Sequence, residues 1–163
     1  MNHVRPAGPV DVQILASLMI EFYAEAAFVL SRAAAERTFQ ALLAAPDLGN
    51  VWLLEADGAP AGFVVLTVSF SMEYGGLRGF VDDFFVAKAF RRRGLGAAAL
   101  QAVMIACAQR GVRALLVEAG PGNEAALSVY RRAGFVDTGH VLLTLPLGSP
   151  VHAAEQGDEA DER

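Results

Sequence analysis

A run of arginines followed by two glycines is the part of this chain whose residue types could bind an anion. Arg91, Arg92 and Arg93 are consecutive, and Gly94 and Gly96 follow them at the start of an Ala-rich apolar stretch. Glycine lets a backbone approach a ligand without a Cβ clash. The first N–H groups of a helix lack intrahelical partners, the helix dipole favours negative charge there, and guanidinium groups bind phosphate in a bidentate manner. The spacing therefore predicts a site for a phosphate or pyrophosphate group.

Two other nucleotide-binding motifs can be compared with this segment. A P-loop requires Gly-Lys-Ser or Gly-Lys-Thr at the helix start, and the stretch Gly96-Ala97-Ala98 excludes it. The stretch 94–99 does fit the Gly-x-Gly-x-x-Ala pattern of dinucleotide-binding folds, with Glu118 where a ribose-binding acid would belong. However, seven residues separate the predicted strand end at Val86 from Gly94, whereas a dinucleotide-binding turn follows its strand almost directly. Too few residues follow Glu118 to complete such a six-stranded sheet.

A second motif lies about thirty residues later and decides between these alternatives. The stretch 123–135 has the spacing Asn-x-x-Ala-x-x-x-Tyr-x-x-x-Gly-Phe, with Asn123 at a predicted helix start and Tyr130 one turn before its end. This spacing resembles the closing motif of the GCN5-related N-acetyltransferase (GNAT) superfamily. The earlier loop is similar to the acetyl-CoA signature of that superfamily, as Arg91-x-x-Gly94-x-Gly96. The clear resemblance covers residues 80–135.

The resemblance implies that acetyl-CoA is the cosubstrate and that three segments bind it. In GNAT enzymes the strand before the arginine loop pairs with the pantetheine arm, largely through backbone groups, and the loop binds the pyrophosphate. Residues of the last helix line the thioester, and a backbone N–H near Val86 would polarise the acetyl carbonyl. The coenzyme-binding residues implied here are Phe84, Phe85, Val86, Arg91, Arg92, Arg93, Gly94, Leu95, Gly96, Ala97, Asn123, Ala126 and Tyr130.

Tyr130 is the residue to which the resemblance assigns general-acid catalysis. Attack on the thioester expels a thiolate, and a phenol within hydrogen-bond reach can protonate that sulfur as it leaves. The single cysteine, Cys107, lies among Ala and Ile in a predicted helix, where we expect a buried small hydrophobe rather than a nucleophile. We therefore expect direct attack by the amine in a ternary complex, without an acyl-enzyme.

Asp82 and Asp83 are the candidates for the general base that activates the amine. Because they adjoin on one predicted strand, alternation predicts that their side chains point to opposite faces. The segment 82–86, Asp-Asp-Phe-Phe-Val, resembles the Glu-Asp-Phe-Phe-Val segment of spermidine/spermine (diamine) acetyltransferases, which puts Asp82 at the position of that subfamily's base. Aspartate is one methylene shorter than glutamate. A relay water and Asp83 therefore stay open as alternatives.

Four further side chains lie in segments that border the acceptor pocket in this superfamily: Glu21, Glu25, Glu73 and Tyr74. They could bind a cationic amine, and ordinary exposed positions are the alternative for each. The three histidines, His3, His140 and His152, show no metal-ligand spacing. We therefore predict no metal.

The elements that must position these residues follow from periodicity and turn residues. Strands are predicted at 3–5, 51–56, 61–71, 79–86, 114–118 and 141–147. Helices are predicted at 9–22, 33–44, 95–110 and 123–133. Antiparallel strands followed by a β–α–β–α–β order predict a mixed α/β sheet with helices on both faces. The resemblance implies the GNAT acyl-CoA N-acyltransferase fold, a mostly antiparallel twisted sheet with a parallel splayed pair.

Length and composition predict one N-acetyltransferase domain in residues 1–148 and a disordered acidic tail in residues 149–163. The chain has 163 residues, 54% hydrophobic and 19% charged, which is enough for a core and too apolar for a disordered protein. Five acids of the tail carry most of the net charge of −5, so we expect no nucleic-acid partner. Short apolar runs predict no membrane span, and the lone cysteine and the lack of a secretory signal favour the cytoplasm.

We therefore predict an acetyl-CoA-dependent N-acetyltransferase whose acceptor is a small cationic primary amine. The superfamily resemblance makes a homodimer plausible. The alternative from another class is a non-catalytic acyl-CoA-binding sensor or regulatory module, with the acidic tail as an interaction segment. A sensor would bind coenzyme without turnover, so replacement of Tyr130 separates the two hypotheses.

Overall fold

The centre of the structure, a computed structural model that describes residues 1–120 and 122–152, is a five-stranded sheet. Its strands are β1 (Asn2–Pro6), β2 (Gly49–Ala56), β3 (Ala59–Ser71), β4 (Gly76–Val86) and β5 (Ala114–Val117), and they lie in this order across the sheet. The neighbouring pairs are antiparallel except β4 and β5, which are parallel. The predicted mixed α/β fold with one parallel pair is thereby confirmed.

Four helices cover the sheet: α1 (Val12–Glu25), α2 (Arg32–Leu43), α3 (Leu95–Gln109) and α4 (Glu124–Arg132). Local residues explain where they begin and end. The Ser31 hydroxyl accepts a 3.1 Å hydrogen bond from the Ala34 N–H at the start of α2. Gly111, with φ of +69°, follows the end of α3. Within the described ranges, no helix has the length and apolar character needed to cross a membrane.

Each face of the sheet carries its own apolar layer, because successive strand residues point to opposite sides. The α1 and α2 side contains Leu15, Phe39, Val65, Phe63 and Phe85, and the α3 and α4 side contains Leu54, Leu66, Leu100, Val81 and Val103. Burial of each such leucine or phenylalanine contributes about 1.5–3 kcal/mol. The two layers meet at the sheet itself, so an opening in the sheet would connect them.

The predicted strand at 141–147 is wrong, because the structure has no regular element there. The side chains of Val141, Leu143 and Leu145 are 81%, 86% and 81% exposed. An apolar run forms a strand only where a neighbouring strand accepts and donates its backbone hydrogen bonds, and none of the described residues does so. The chain instead continues to residues 149–152, which include two half-buried positions. The rest of the predicted disordered tail, 153–163, lies outside the described residues.

Candidate active site

The parallel strands β4 and β5 separate at the residues that carry the predicted chemistry. Their pairing ends at Val81 opposite Val117, while β4 continues to Val86. On its other edge β4 stays paired with β3 as far as Val86 opposite Gly62. The edge of residues 82–86 that faces β5 therefore has no strand partner in the described part of the chain. A slot opens here whose one wall carries backbone N–H and C=O groups that an extended amide ligand can pair with.

The start of α3 presents N–H groups at one end of this slot. The first intrahelical hydrogen bond runs from the Ala98 N–H to the Gly94 carbonyl, 3.1 Å apart. Among the described residues no backbone acceptor meets the N–H groups of Leu95, Gly96 and Ala97. With the positive end of the helix dipole, these groups suit an anion. The Leu95 side chain is 1% exposed, so only its backbone is available to a ligand.

The two glycines of the loop have different reasons to be glycine. Gly94 has φ of +81°, a left-handed conformation that disfavours any residue with a Cβ. Gly96 has helical geometry, and a Cβ built on it would meet only Phe84 and Val129, each at 3.7 Å. A Cβ at Gly96 would thus make ordinary van der Waals contact without a clash. A Cβ at Gly94 would meet nothing within 4 Å, so the loop is open on that side, next to the free N–H groups.

The three arginines of the loop differ in the hydrogen bonds that they make. The Arg91 guanidinium donates to both Glu25 carboxylate oxygens, at 2.6 and 2.7 Å, and to the Val86 carbonyl at 2.7 Å. Arg93 donates to Asp57 at 3.2 Å. Arg92 is exposed, has φ of +63°, and makes no hydrogen bond with the described residues. Arg92 is thus the member of the predicted anion-binding set whose charge is free, and Glu25 pairs with the loop.

Tyr130 lies on the α3 and α4 side of the slot. It is 7% exposed, and its ring packs 6.3 Å from the Phe84 ring and 5.7 Å from the Phe135 ring. Burial raises the pKa of its hydroxyl above the ordinary tyrosine value, which keeps the proton in place at neutral pH. The described residues provide no hydrogen-bond partner for this hydroxyl, yet they contain no fully enclosed side-chain oxygen without a partner. The hydroxyl therefore still reaches solvent.

Asn123 begins the helix that carries Tyr130. Its side-chain oxygen accepts a 3.2 Å hydrogen bond from the Ala126 N–H, as an N-cap residue does. Ala126 is half-buried and packs against the apolar layer of α3. The oxygen of the Asn123 amide is therefore occupied by helix capping, while its N–H₂ group stays available at the helix start.

The prediction that Asp82 and Asp83 point to opposite faces is wrong, because β4 contains a β-bulge at these two residues. Val81 pairs with Leu66 and Phe84 pairs with Val64, so Asp82 and Asp83 together lie opposite the single residue Val65. A bulge places an extra residue on one strand and interrupts the alternation of side chains. Both carboxylates consequently line the same cavity, on the α1 and α2 side.

That cavity has a volume of about 230 Å³. Its lining combines two carboxylates, two hydroxyl groups and five apolar side chains: Met19, Tyr23, Thr38, Phe39, Leu42, Val65, Asp82, Asp83 and Val151. The Tyr23 hydroxyl is 3.5 Å from Asp83 Oδ2. Sequence reasoning missed Tyr23, whose place on the inner face of α1 beside Phe22 reads as core packing. It also missed Val151, for which the sequence carries no signal.

The carboxylates of the cavity hold protons more readily than free aspartates. Burial, then the neighbouring Asp82 charge, raise the pKa of Asp83 to about 6, although the Tyr23 hydrogen bond opposes this shift. Burial also raises the pKa of Asp82. The pKa of Tyr23 rises to about 12, first because of burial and then because of the two aspartates. Asp83 thus titrates close to neutral pH, as a general base requires.

The other residues considered from the sequence lie outside this cavity. Within the described ranges its lining includes none of Glu21, Glu25, Glu73 and Tyr74. Cys107 is buried and packs in the α3 layer. The residues that the structure describes contain no group of three or more His, Cys, Asp or Glu side chains that could hold a metal ion.

Comparisons with known proteins give the family. The model of the acetyltransferase (GNAT) family matches residues 15–135. An integron cassette protein from the mobile metagenome of Cole Harbour Salt Marsh is 54% identical, covers 91% of this chain and 93% of its own, and superposes with a TM-score of 0.85. No curated protein matches the sequence.

Two more distant solved structures share the fold. A probable acetyltransferase is 22% identical over 91% of this chain and 99% of its own, with a TM-score of 0.82. An aminoglycoside N-acetyltransferase, AAC(6')-Iy, solved with CoA, is 18% identical over 91% of this chain and 96% of its own, with a TM-score of 0.77. From its family match and its fold, the chain belongs to the GNAT family of acetyl-CoA-dependent N-acetyltransferases.

Proposed function

We propose that the protein transfers an acetyl group from acetyl-CoA to the nitrogen of a small, positively charged primary amine. The slot between β4 and β5 carries this proposal. The free N–H groups at the start of α3 lie at one end of the unpaired stretch of β4, and the cavity lined by Asp82 and Asp83 lies at the other. Asp82 begins the unpaired stretch of β4, and Val86 ends it beside the arginine loop. The similarity in fold to an aminoglycoside N-acetyltransferase is consistent with a small-molecule acceptor.

Acetyl-CoA, when bound, supplies the acetyl group as an activated thioester. The free N–H groups of residues 95–97, the free Arg92 and the open side of the loop at Gly94 would hold its pyrophosphate. The unpaired backbone of residues 84–86 would pair with the amides of the pantetheine arm. Arg91 and Arg93 would add two further charges once they exchange a carboxylate for a phosphate.

At the opposite end of the slot, residues of both sheet faces would act on the thioester. The start of α4, with Asn123 and Ala126, would border the acetyl end. A backbone N–H toward the Asp82 end of the unpaired stretch would stabilise the charge that develops on the acetyl oxygen, an effect worth about 3 kcal/mol for one such donor. The Tyr130 hydroxyl would approach from the α3 and α4 side, and the aspartates from the α1 and α2 side.

The proton transfers then balance across the slot. The acceptor arrives as an ammonium ion and gives one proton to Asp82 or Asp83, directly or through a water molecule. Its nitrogen attacks the acetyl carbon, a C–N bond forms, and the C–S bond breaks. The nitrogen gives up its second proton to solvent as the amide forms, while Tyr130 donates its own proton to the departing sulfur and regains one from solvent. The products are an N-acetylated amine, free coenzyme A and one released proton.

Replacement of Tyr130 by phenylalanine tests the proposal. We expect kcat to fall about a hundredfold, the range of general-acid catalysis, while coenzyme affinity stays within twofold. Thiol release in the presence of acetyl-CoA and a panel of primary amines measures the rate, and calorimetry with coenzyme A measures affinity. Tyr74→Phe, on the β3–β4 turn, is the matched control.

The same experiment separates the two hypotheses. A protein that binds coenzyme A but releases no thiol with any amine would support the sensor alternative. An undiminished rate in Tyr130→Phe would contradict the role of Tyr130 as general acid. The homodimer and the cytoplasmic location stay predictions, which sedimentation and fractionation of cells would test.

A further inference from the structure

The two carboxylates of the proposed acceptor cavity are neighbours. The bulge puts Asp82 and Asp83 side by side, so both carboxylates meet a ligand at the same point. Apart from the Tyr23 and Thr38 hydroxyls, the rest of the described lining is apolar. Apolar side chains stabilise the bound apolar part of a ligand, because both lose contact with water. They do not offset the desolvation cost of a second charged group.

Among the described residues, the linings of this cavity and of the neighbouring one contain no carboxylate besides Asp82 and Asp83. Glu25 on α1 already receives two hydrogen bonds from Arg91. The neighbouring cavity, of about 380 Å³, shares Thr38 and Val151 with the first one and is lined by Arg37. Arg37 places a positive charge in the lining of this neighbouring cavity. The charges therefore oppose a dication such as a diamine.

Val151 belongs to the linings of both cavities, although it lies far along the chain from α1, α2 and β4. The next residue, His152, packs its ring 4.1 Å from the Phe28 ring and 5.6 Å from the Tyr23 ring, measured between centroids. These contacts hold the C-terminal segment against the loop between α1 and α2.

We propose that the acceptor is a primary amine with a single positive charge on a compact apolar body, and that Val151 sets the size it accepts. This inference rests on the proposed function and narrows its substrate class. A cavity of about 230 Å³ is below the roughly 300–1,000 Å³ of sites for drug-sized ligands, which agrees with a compact acceptor. Diamines, polyamines and aminoglycosides would be poor substrates.

Two amines of equal length test the charge requirement. 1-Aminopentane and 1,4-diaminobutane have chains of six heavy atoms and differ in one terminal group, CH₃ against NH₃⁺. We expect kcat/KM, measured by thiol release with saturating acetyl-CoA at pH 7.5, to be at least tenfold higher for 1-aminopentane. An equal or higher value for 1,4-diaminobutane would overturn the inference.

A variant tests the size requirement. We expect Val151→Phe to lower kcat/KM for 2-phenylethylamine at least tenfold and to leave that for ethylamine within threefold. Val10→Phe, at a position that is 90% exposed and belongs to neither described lining, is the control. A Val151→Phe enzyme that uses both amines like the wild type would show that Val151 sets no limit.

Failure of the proposed function can be distinguished from failure of this inference. If no amine releases thiol, that function is wrong, and calorimetric titration of the two six-atom amines into the coenzyme-saturated protein still decides the inference. Tighter binding of 1-aminopentane supports a pocket for monocations. Equal or tighter binding of 1,4-diaminobutane contradicts it.

Discussion

Asp83 shows at the residue scale how burial can adapt a carboxylate to accept protons near neutral pH. Its pKa of about 6 lies above the ordinary value of 3.8 because the side chain is partly buried and Asp82 stands beside it. Proton uptake by the folded state therefore exceeds that of the unfolded state between these two values. Stability falls as the pH rises through this window, and the basic form of Asp83 appears over the same window.

Replacement of Asp83 by asparagine tests this pH dependence. We expect the variant to gain about 1–2 kcal/mol in unfolding free energy at pH 8, because no buried charge forms, and to gain little at pH 4. Its kcat/KM should lose the rise with pH that we expect near pH 6 in the wild type. Urea denaturation and rate measurements from pH 5 to 8 give both curves. Asp47→Asn, at an exposed position, should change neither curve.

The two loop glycines allow a paired prediction about binding and stability. Gly96→Ala should raise stability by up to about 1 kcal/mol, because alanine favours the helix and its Cβ meets nothing closer than 3.7 Å. The same methyl group would lie beside the free N–H groups assigned to the pyrophosphate, so coenzyme A affinity should fall at least tenfold. Gly94→Ala should destabilise the fold by about 1 kcal/mol, because φ is +81° there. Thermal unfolding and calorimetry separate these effects; unchanged affinity in Gly96→Ala would contradict the coenzyme placement.

Helix α4 is held at its start by one side chain, and this gives a prediction at the scale of an element. Asn123→Ala removes the acceptor for the Ala126 N–H and should reduce stability by about 1 kcal/mol. Asn123→Asp keeps an acceptor and should lose less than half of that. Because α4 carries Tyr130, loss of the N-cap hydrogen bond in Asn123→Ala should also lower kcat. Denaturation curves of both variants provide the check, and equal stabilities would mean that the cap contributes nothing.

The elements differ in how far the sequence could predict them. The helices, the first five strands and the loop before α3 follow from periodicity and turn residues, since these patterns act within one element. The bulge at Asp82 and Asp83 could not be predicted, because it depends on the register between β3 and β4. The strand at 141–147 was wrong for a similar reason: its apolar pattern is real, but the pattern does not supply a pairing partner. Tyr23 and Val151 join the cavity through tertiary packing alone.

At the scale of the whole molecule, most of the stability should come from the two apolar layers and very little from the segment 141–147. Changing Leu143 and Leu145 together to serine should alter the unfolding free energy by less than about 0.5 kcal/mol, because both side chains are more than four-fifths exposed. Leu100→Ala, in the α3 layer and 1% exposed, should cost about 2–5 kcal/mol. Denaturant titration at two protein concentrations compares them. A loss above 1 kcal/mol in the double variant would show that something covers this segment, and a dependence on concentration would identify it as a second copy.

The gap between β4 and β5 also bears on how the enzyme would turn over. Bound as proposed, the nucleotide and the amine would reach the reacting atoms through separate doorways, one on each side of the sheet, so neither would block the path of the other. Each product would then depart the way its precursor came, in any sequence. Steady-state kinetics should accordingly show no compulsory order, and each product should inhibit competitively only against the reactant that shares its doorway.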